Sequence, residues 1–388
     1  MDLRGDRSAM SGTPALIGRY VVERELGSGG MGEVYLAYSP AGDPVAVKLI
    51  RRDRLDPVTR ARFEKEALIA RTVVGTNRVA RFLDADPYAD RPWLAMEYVP
   101  GSTLFVHVEA HGPLPAPLVL SLGALLAEGL AAVHATGLLH RDVKPQNVIM
   151  GDYGPTLIDF GLGAFLDAAK DTLSHSGMII GTVRCMPPEQ AMGRPQVTPA
   201  ADVYGLGTVL LHAATGHYPY EGGRWEAIVG QVADPRQLPD LGGLPDALLP
   251  LLSSMLAHDP VDRPSLTAVT AACTTLMYDG DLSPVEARRA LIDRTVAHSS
   301  VTAAPAAPPS SLLDRLEAQV VPLNGETGLD SPLDSPPEAS EEGARHEVSS
   351  EVEQAAVPAP AGARGGRVPA SQRVAEELRK HYTTQPGL

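Results

Sequence analysis

Apolar and polar positions follow a strand-like pattern over the first quarter of the chain. Further on they adopt helical spacing, and near the end they lose any period. From Arg19 the run Tyr20-Val21-Val22-Glu23-Arg24-Glu25-Leu26 has strand character. Gly27-Ser28-Gly29-Gly30-Met31-Gly32 interrupts it, and Glu33-Val34-Tyr35-Leu36-Ala37-Tyr38 resumes it. Two strands about a glycine run predict a hairpin whose backbone can approach a phosphate closely, since no Cβ stands in the way. The bland alternative is an ordinary turn. A dinucleotide fingerprint would need a helix directly after the glycines, and a strand follows instead. Val45-Ala46-Val47-Lys48-Leu49-Ile50 predicts the next antiparallel strand, with Lys48 either a phosphate ligand or a lysine snorkelling to water. A helix is expected from about residue 57 to 73, and strands over 78–83 and 92–99. Together these make a five-stranded sheet with one helix.

Pro100-Gly101 marks a turn and a hinge between lobes. Beyond it leucines and alanines recur at spacings of three and four residues, predicting a helix over 121–136 with Gly137 as its C-cap. Helices are also expected over 201–215, 225–232, 245–257 and 266–278, and a short strand over Val148-Ile149-Met150. The expectation is therefore an α+β fold of two lobes: a small β-rich lobe at 19–99 and a larger helical one at 100–278. Residues 1–18 read as a flexible N-terminus.

Past residue 278 the composition changes. Residues 301–388 hold one aromatic, eleven prolines, and thirteen acidic against seven basic residues. Such a segment buries too little apolar surface to offset the entropy of ordering, so 279–388 reads as a largely disordered tail. Short amphipathic pieces at 283–295, 311–320 and 371–381 are candidate transient helices or docking elements.

The chemistry concentrates in one loop. His140-Arg141-Asp142-Val143-Lys144-Pro145-Gln146-Asn147 offers a carboxylate, an ammonium and an amide oxygen, and Asp159-Phe160-Gly161 adds a second carboxylate. That set suits phosphoryl transfer, in which a protein positions a hydroxyl, holds magnesium and neutralises developing charge. A formal charge of -14 argues against nucleic acid as a partner. Two distant cysteines, Cys185 and Cys273, form no metal pattern and fit a reducing, cytoplasmic setting. The first eleven residues lack a secretory signal, and the apolar stretch 118–139 suits a buried helix better than a membrane span.

In its order of motifs the chain resembles the bacterial eukaryotic-like (Hanks-type) serine/threonine protein kinases, particularly the actinobacterial type, across about residues 19–278. The resemblance implies that Leu26, Gly27, Ser28, Gly29, Gly30, Met31, Gly32, Glu33 and Val34 cover the ATP phosphates. Lys48 would contact those phosphates and pair with Glu66, for which Glu64 is the alternative. Met96 matches the gatekeeper, Glu97 and Val99 the adenine hinge, and Val34, Ala46 and Ile149 the walls around the base. Asp142 matches the catalytic aspartate, Lys144 the lysine that stabilises the transferring phosphoryl group, and Asn147 and Asp159 the magnesium ligands. Manganese is the substitute ion.

The activation segment would run from Asp159 to Glu189, with Thr172, Ser174 and Ser176 as phosphorylation candidates and Thr182 in the substrate loop bridging Asp142 and Lys144. Glu189 and Arg263 match a structural ion pair, and Asp202 a helix-start support for the catalytic loop. Pro187-Pro188-Glu189 and Cys185 depart from the family spelling near the substrate-docking region. The implied activity is ATP-dependent phosphorylation of protein Ser/Thr hydroxyls, with autophosphorylation, in signal transduction. The implied partners are protein substrates and a homodimer through the N-lobe. The competing readings are a pseudokinase scaffold and a small-molecule phosphotransferase of related fold.

Overall fold

Alternation in the first lobe builds one antiparallel sheet. A computed structural model describes residues 13–29, 32–51, 57, 64, 78–159, 182–194, 197–296 and 315. Strands β1 (Leu16–Ile17), β2 (Tyr20–Ser28), β3 (Gly32–Tyr38), β4 (Pro44–Ile50), β5 (Phe82–Asp86) and β6 (Trp93–Glu97) pair in the order β1-β2-β3-β4-β6-β5. Side chains on a strand point alternately to its two faces. Val45, Val47 and Leu49 of β4 accordingly join Tyr20, Tyr35, Trp93 and Ala95 in one apolar layer. Ala46 and Ile50 join Leu94 and Met96 on the other face. Lys48, midway between Ala46 and Ile50, shares that second face.

Six strands replace the expected five because β1 pairs with β2 and buries Ile17. Leu16 and Ile17 therefore belong to the sheet rather than to a flexible lead-in. The strand expected at 78–83 is displaced to Phe82–Asp86, while Val79 bridges Leu157 of the second lobe. Most of the helix expected at 57–73 lies outside the described residues. Pro57 and Glu64 are helical.

In the second lobe, β7 (Ser102–Thr103) pairs with β8 (Val148–Gly151), which pairs with β9 (Gly154–Leu157). Helix α1 (Leu104–His111), absent from the sequence expectation, starts where the Thr103 hydroxyl accepts the Val106 N–H at 3.2 Å. Helix α2 (Ala116–Ala135) begins five residues earlier than its periodicity suggested, because Pro117 is tolerated in a first turn. Among the described residues, α2 alone is long and apolar enough to cross a membrane. Here Leu122, Leu126 and Leu130 are fully buried in the core of the lobe, each contributing about 1.5–3 kcal/mol.

Helices α3 (Pro188–Ala191), α4 (Ala200–Thr215), α5 (Trp225–Ala233), α6 (Leu249–Met255) and α7 (Leu266–Asp279) complete the lobe. The helix expected at 245–257 is shorter, since Asp246–Leu248 is a 3-10 turn.

The folded part also continues past residue 278. Helix α8 (Pro284–Val296) opens with a capping box: Ser283 and Glu286 exchange side-chain-to-backbone hydrogen bonds at 3.1 and 3.3 Å. Its Ala287, Leu291 and Thr295 are fully buried, the first two within the core of the lobe. The packed part of the chain thus runs on past residue 278, and the piece expected at 283–295 is a packed helix rather than a transient one. Of the remaining tail, only Arg315 is among the described residues.

Candidate active site

Helix α2 ends at Ala135, and Gly137 at φ 80 lets the chain turn away into the 140–147 loop. The loop is held from below by Asp202 in the first turn of α4. This buried carboxylate accepts the backbone N–H of His140 at 2.8 Å and of Arg141 at 2.7 Å. His134 Nε2 lies 2.7 Å from the same carboxylate. Burial alone would raise the Asp202 pKa. The His134 hydrogen bond, the nearby imidazoles and the Arg141 amide outweigh burial and hold it below its ordinary value. His140 is fully buried, and desolvation pushes its imidazole below the usual range. A neutral packing role fits that environment.

Arg141 takes the left-handed conformation, φ 65, unusual for a residue with a Cβ. Next to it the Asp142 carboxylate accepts from Lys144 Nζ at 2.7 Å and from Asn147 Nδ2 at 3.0 Å. Asn147 Nδ2 also donates to the Asp142 carbonyl at 2.9 Å. Lys144 Nζ reaches on to Thr182 Oγ1 at 3.0 Å. Thr182 therefore joins this group through the lysine.

The second carboxylate approaches along β9. Ile158 N–H donates to the Asn147 carbonyl at 2.9 Å, and Asp159 follows at φ 57. Lys48 Nζ stands 3.4 Å from Asp159 Oδ1, so the first lobe's lysine and the second lobe's carboxylate meet across the cleft. Glu66 lies outside the described residues. Glu64, the alternative, is exposed and accepts from the Tyr88 hydroxyl.

In the glycine turn Gly29 N–H donates to Gly32 O at 2.6 Å, and Gly32 pairs with Ile50 of β4. A Cβ on Gly32 would stand 2.6 Å from the Leu49 carbonyl oxygen, so the close strand approach requires glycine. Leu26, Gly27 and Ser28 lie on β2, Glu33 and Val34 on β3, while Gly30 and Met31 fall outside the described residues. Glu33 is committed to Arg91 at 3.0 Å and to the Tyr35 hydroxyl at 3.0 Å. Ala46 and Met96 are register partners on the Lys48 face, and Val34 packs beside them. The Glu97 N–H is used by the Arg81 carbonyl at 2.8 Å, so that donor is not free for a base. Val99 follows β6, and Ile149 lies on β8. Thr172, Ser174 and Ser176 lie outside the described residues.

Two residues near the loop were not foreseen in the sequence. His134 supports Asp202, and its place near the end of α2, one turn before the loop, was the available signal. Gln146 Nε2 donates to the Tyr218 hydroxyl at 3.2 Å, a contact across 72 positions that no local pattern announces. A small cavity between the loop and the 182–190 segment is lined by Asp142, Thr182, Cys185, Met186 and Gly205 among others. Burial pushes the Cys185 thiol far above its usual pKa, leaving it unreactive. Glu189 and Arg263 form a bidentate pair with both contacts at 2.8 Å.

A two-lobed arrangement with a lysine on the sheet, a clustered Asp-Lys-Asn loop and a facing aspartate is matched by the family model "Protein kinase domain" over residues 20–273. This chain belongs to the protein kinase domain family. The chain is 43% identical over 274 residues to "Probable serine/threonine-protein kinase PkwA" of Thermomonospora curvata, covering 70% of this chain and 36% of that protein. It is 43% identical over 253 residues to the serine/threonine-protein kinase AfsK of Streptomyces coelicolor, covering 65% and 31% respectively. Among solved structures it resembles the Mycobacterium tuberculosis PknI kinase domain, with a TM-score of 0.53 and 29% identity. That match covers 67% of this chain and 97% of the other. The chain thus spans about a third of the length of these curated relatives.

Proposed function

We propose that this chain is an ATP-dependent protein kinase that transfers the γ-phosphoryl group to serine and threonine hydroxyls of proteins. The observation carrying this reading is the Asp142 carboxylate, held by Lys144 and Asn147, with Thr182 on the same lysine. A carboxylate so placed orients an acceptor hydroxyl and receives its proton. The hydroxyl oxygen forms a bond to the γ-phosphorus as the bond to the β,γ-bridging oxygen breaks, and ADP leaves. The Lys144 ammonium offsets negative charge on the transferring group, and Thr182 ties the lysine to the docking segment. Lys48 serves the phosphates from the sheet face.

Asn147 and Asp159 fit a magnesium ion. Both are hard oxygen ligands, and the Asn147 nitrogen is occupied by Asp142, leaving its oxygen for another partner. When bound, the ion neutralises charge on the β- and γ-phosphates. Ala46, Met96, Val34 and Ile149 supply apolar walls for the base, with hinge groups near Glu97 and Val99. Autophosphorylation at Ser174 or Ser176, with Thr172 as the third candidate, belongs to the same proposal. So does a cytoplasmic setting, supported by the two free, buried cysteines.

The test is purified protein with labelled ATP and Mg²⁺ beside an Asp142→Asn variant, followed by mapping of the labelled residues. Label on the wild type and at least a hundredfold less on the variant (about 3 kcal/mol of transition-state stabilisation) supports the proposal. An unlabelled wild type would refute it and favour the scaffold reading, and equal labelling would refute the role given to Asp142. Label confined to the tail would refute the activation-segment sites.

A further inference from the structure

The family match ends at residue 273, yet the chain makes specific contacts after that point. Helix α8 buries Ala287 and Leu291 in the second lobe's core. Its Arg288 Nη2 donates to the Tyr153 carbonyl at 3.0 Å, in the turn between β8 and β9. Arg78 Nη1, from the first-lobe side, donates to that same oxygen at 2.7 Å. The Arg78 pKa is lowered, first by burial and then by the nearby Arg288 guanidinium. Two cations converge on one carbonyl only where packing holds them there.

Further along, Arg315 reaches the opposite lobe. Its Nη1 donates to the Val22 carbonyl at 3.3 Å and its Nη2 to the Ala15 carbonyl. Those two carbonyls lie at the open end of the β1–β2 hairpin, where Val22 N–H already donates to Ala15 O at 3.1 Å. Strand β1 is the outer edge of the sheet, the position where unpaired strand groups invite a partner. The planar guanidinium fork spans two backbone acceptors at once, which a lysine's single nitrogen does less well.

We propose that the outer edge of the first-lobe sheet, at Ala15 and Val22, is an intramolecular docking site for the chain's own Arg315. With α8 anchored on the second lobe, the chain beyond the catalytic core is fastened to both lobes. Strand β2 carries Val22 near its start and Gly27-Ser28 of the glycine turn at its end. Docking at Val22 therefore steadies the strand that leads into the nucleotide-facing turn. Anything that withdraws Arg315 loosens that strand. This is a tail-to-cleft connection independent of the chemistry at Asp142.

The full-length chain tests it by two readouts. In the Arg315→Ala variant, amide hydrogen exchange over residues 13–29 speeds up about threefold to tenfold, the scale of losing one or two exposed charged hydrogen bonds. The Arg315→Lys variant falls between, while exchange in α4 and α7 stays as in the wild type. Trypsin must accept the Arg315 side chain in its own pocket. In the wild type it therefore cuts after Arg315 at least several-fold more slowly than after Arg345 or Arg364 of the tail. Unchanged exchange over 13–29 in Arg315→Ala overturns the proposal, as does cleavage at Arg315 that keeps pace with Arg345. Neither readout involves phosphoryl transfer, so failure of the kinase assay leaves this test standing.

Discussion

Replacing Asp202 by asparagine removes one acceptor from the most concentrated anchor of the catalytic loop while preserving shape. In the wild type one carboxylate oxygen serves His134 and the His140 N–H, and the other serves the Arg141 N–H. Asparagine keeps only one oxygen. The less costly orientation keeps it toward His134 and His140 and turns the amide nitrogen toward the Arg141 N–H, donor against donor. A hydrogen bond to a charged group contributes about 1.5–3 kcal/mol, and a buried donor left without a partner costs about 1–3 kcal/mol more. With partial relaxation the expected loss is about 3–5 kcal/mol, a large share of the ~5–15 kcal/mol that holds a domain together. Urea denaturation reads this as a lower midpoint with an unchanged slope.

Activity falls as well, because Arg141 sits immediately before Asp142 and already holds a positive φ. Misplacing a catalytic group by an ångström costs on the order of a hundredfold. We expect kcat to drop roughly ten- to a hundredfold with KM for ATP little changed. The pH dependence carries its own signature. The folded-state pKa of Asp202 lies below its ordinary value of 3.8. Its stabilisation is therefore present above that value and is lost as pH falls through the folded pKa. The stability gap between wild type and variant should narrow on acidification below about pH 4. A denaturation midpoint and a kcat both within error of the wild type would refute this account of how the loop is held.

Three further outcomes are expected. Glu189→Ala leaves the buried Arg263 guanidinium without its carboxylate and should cost about 3–5 kcal/mol in chemical denaturation. A loss below ~1 kcal/mol would show that the carbonyls of Ala257, Ala200 and His258 suffice. Gly205→Ala places a Cβ 2.9 Å from the Val143 carbonyl oxygen and should cost about 1–3 kcal/mol while lowering kcat, since Val143 follows Asp142. Unchanged kcat would separate that contact from catalysis. His212, stacked between Phe105 and Tyr218, has its pKa pushed by burial from 6.5 down to about 4. The unfolded chain takes up this proton first, so stability declines as pH falls below 6.5. The loss reaches roughly 3 kcal/mol near pH 4. His212→Phe should flatten that limb of the stability–pH curve; an unaltered limb assigns it to other groups.

Local periodicity made most elements of both lobes legible. Strands β2, β3, β4 and β6 and helices α4, α5 and α7 carry their own two-residue or three-to-four-residue pattern, and their ends shift by only a few positions. What was missed depends on distant partners. Strand β1 is two residues long and exists because β2 offers it a ladder. The span 78–83 is apolar enough for a strand, but Val79 finds its partner in Leu157 instead. Helix α8 has low apolar content, and its Ala287 and Leu291 gain value only against the second lobe. At the candidate site the order of motifs identified Lys48, Asp142, Lys144, Asn147 and Asp159. Their neighbours His134, Gln146 and Tyr218 are joined through space and left no local signature.

Two residues with side chains, Arg141 and Asp159, hold left-handed backbones in the site itself. Such conformations cost on the order of 1–3 kcal/mol each and persist where surrounding contacts outweigh them. For Arg141 the contact is Asp202, which takes its N–H at 2.7 Å. For Asp159 it is the Lys48 ammonium from the other lobe, together with Ile158 N–H on Asn147. The first support lies wholly within the second lobe and remains in place when the lobes part. The second depends on their closeness. Lobe opening should therefore release Asp159 while leaving Asp142 seated. On this reasoning the Asp142 carboxylate stays organised whether or not the lobes part, whereas the Asp159 carboxylate is placed by their closure.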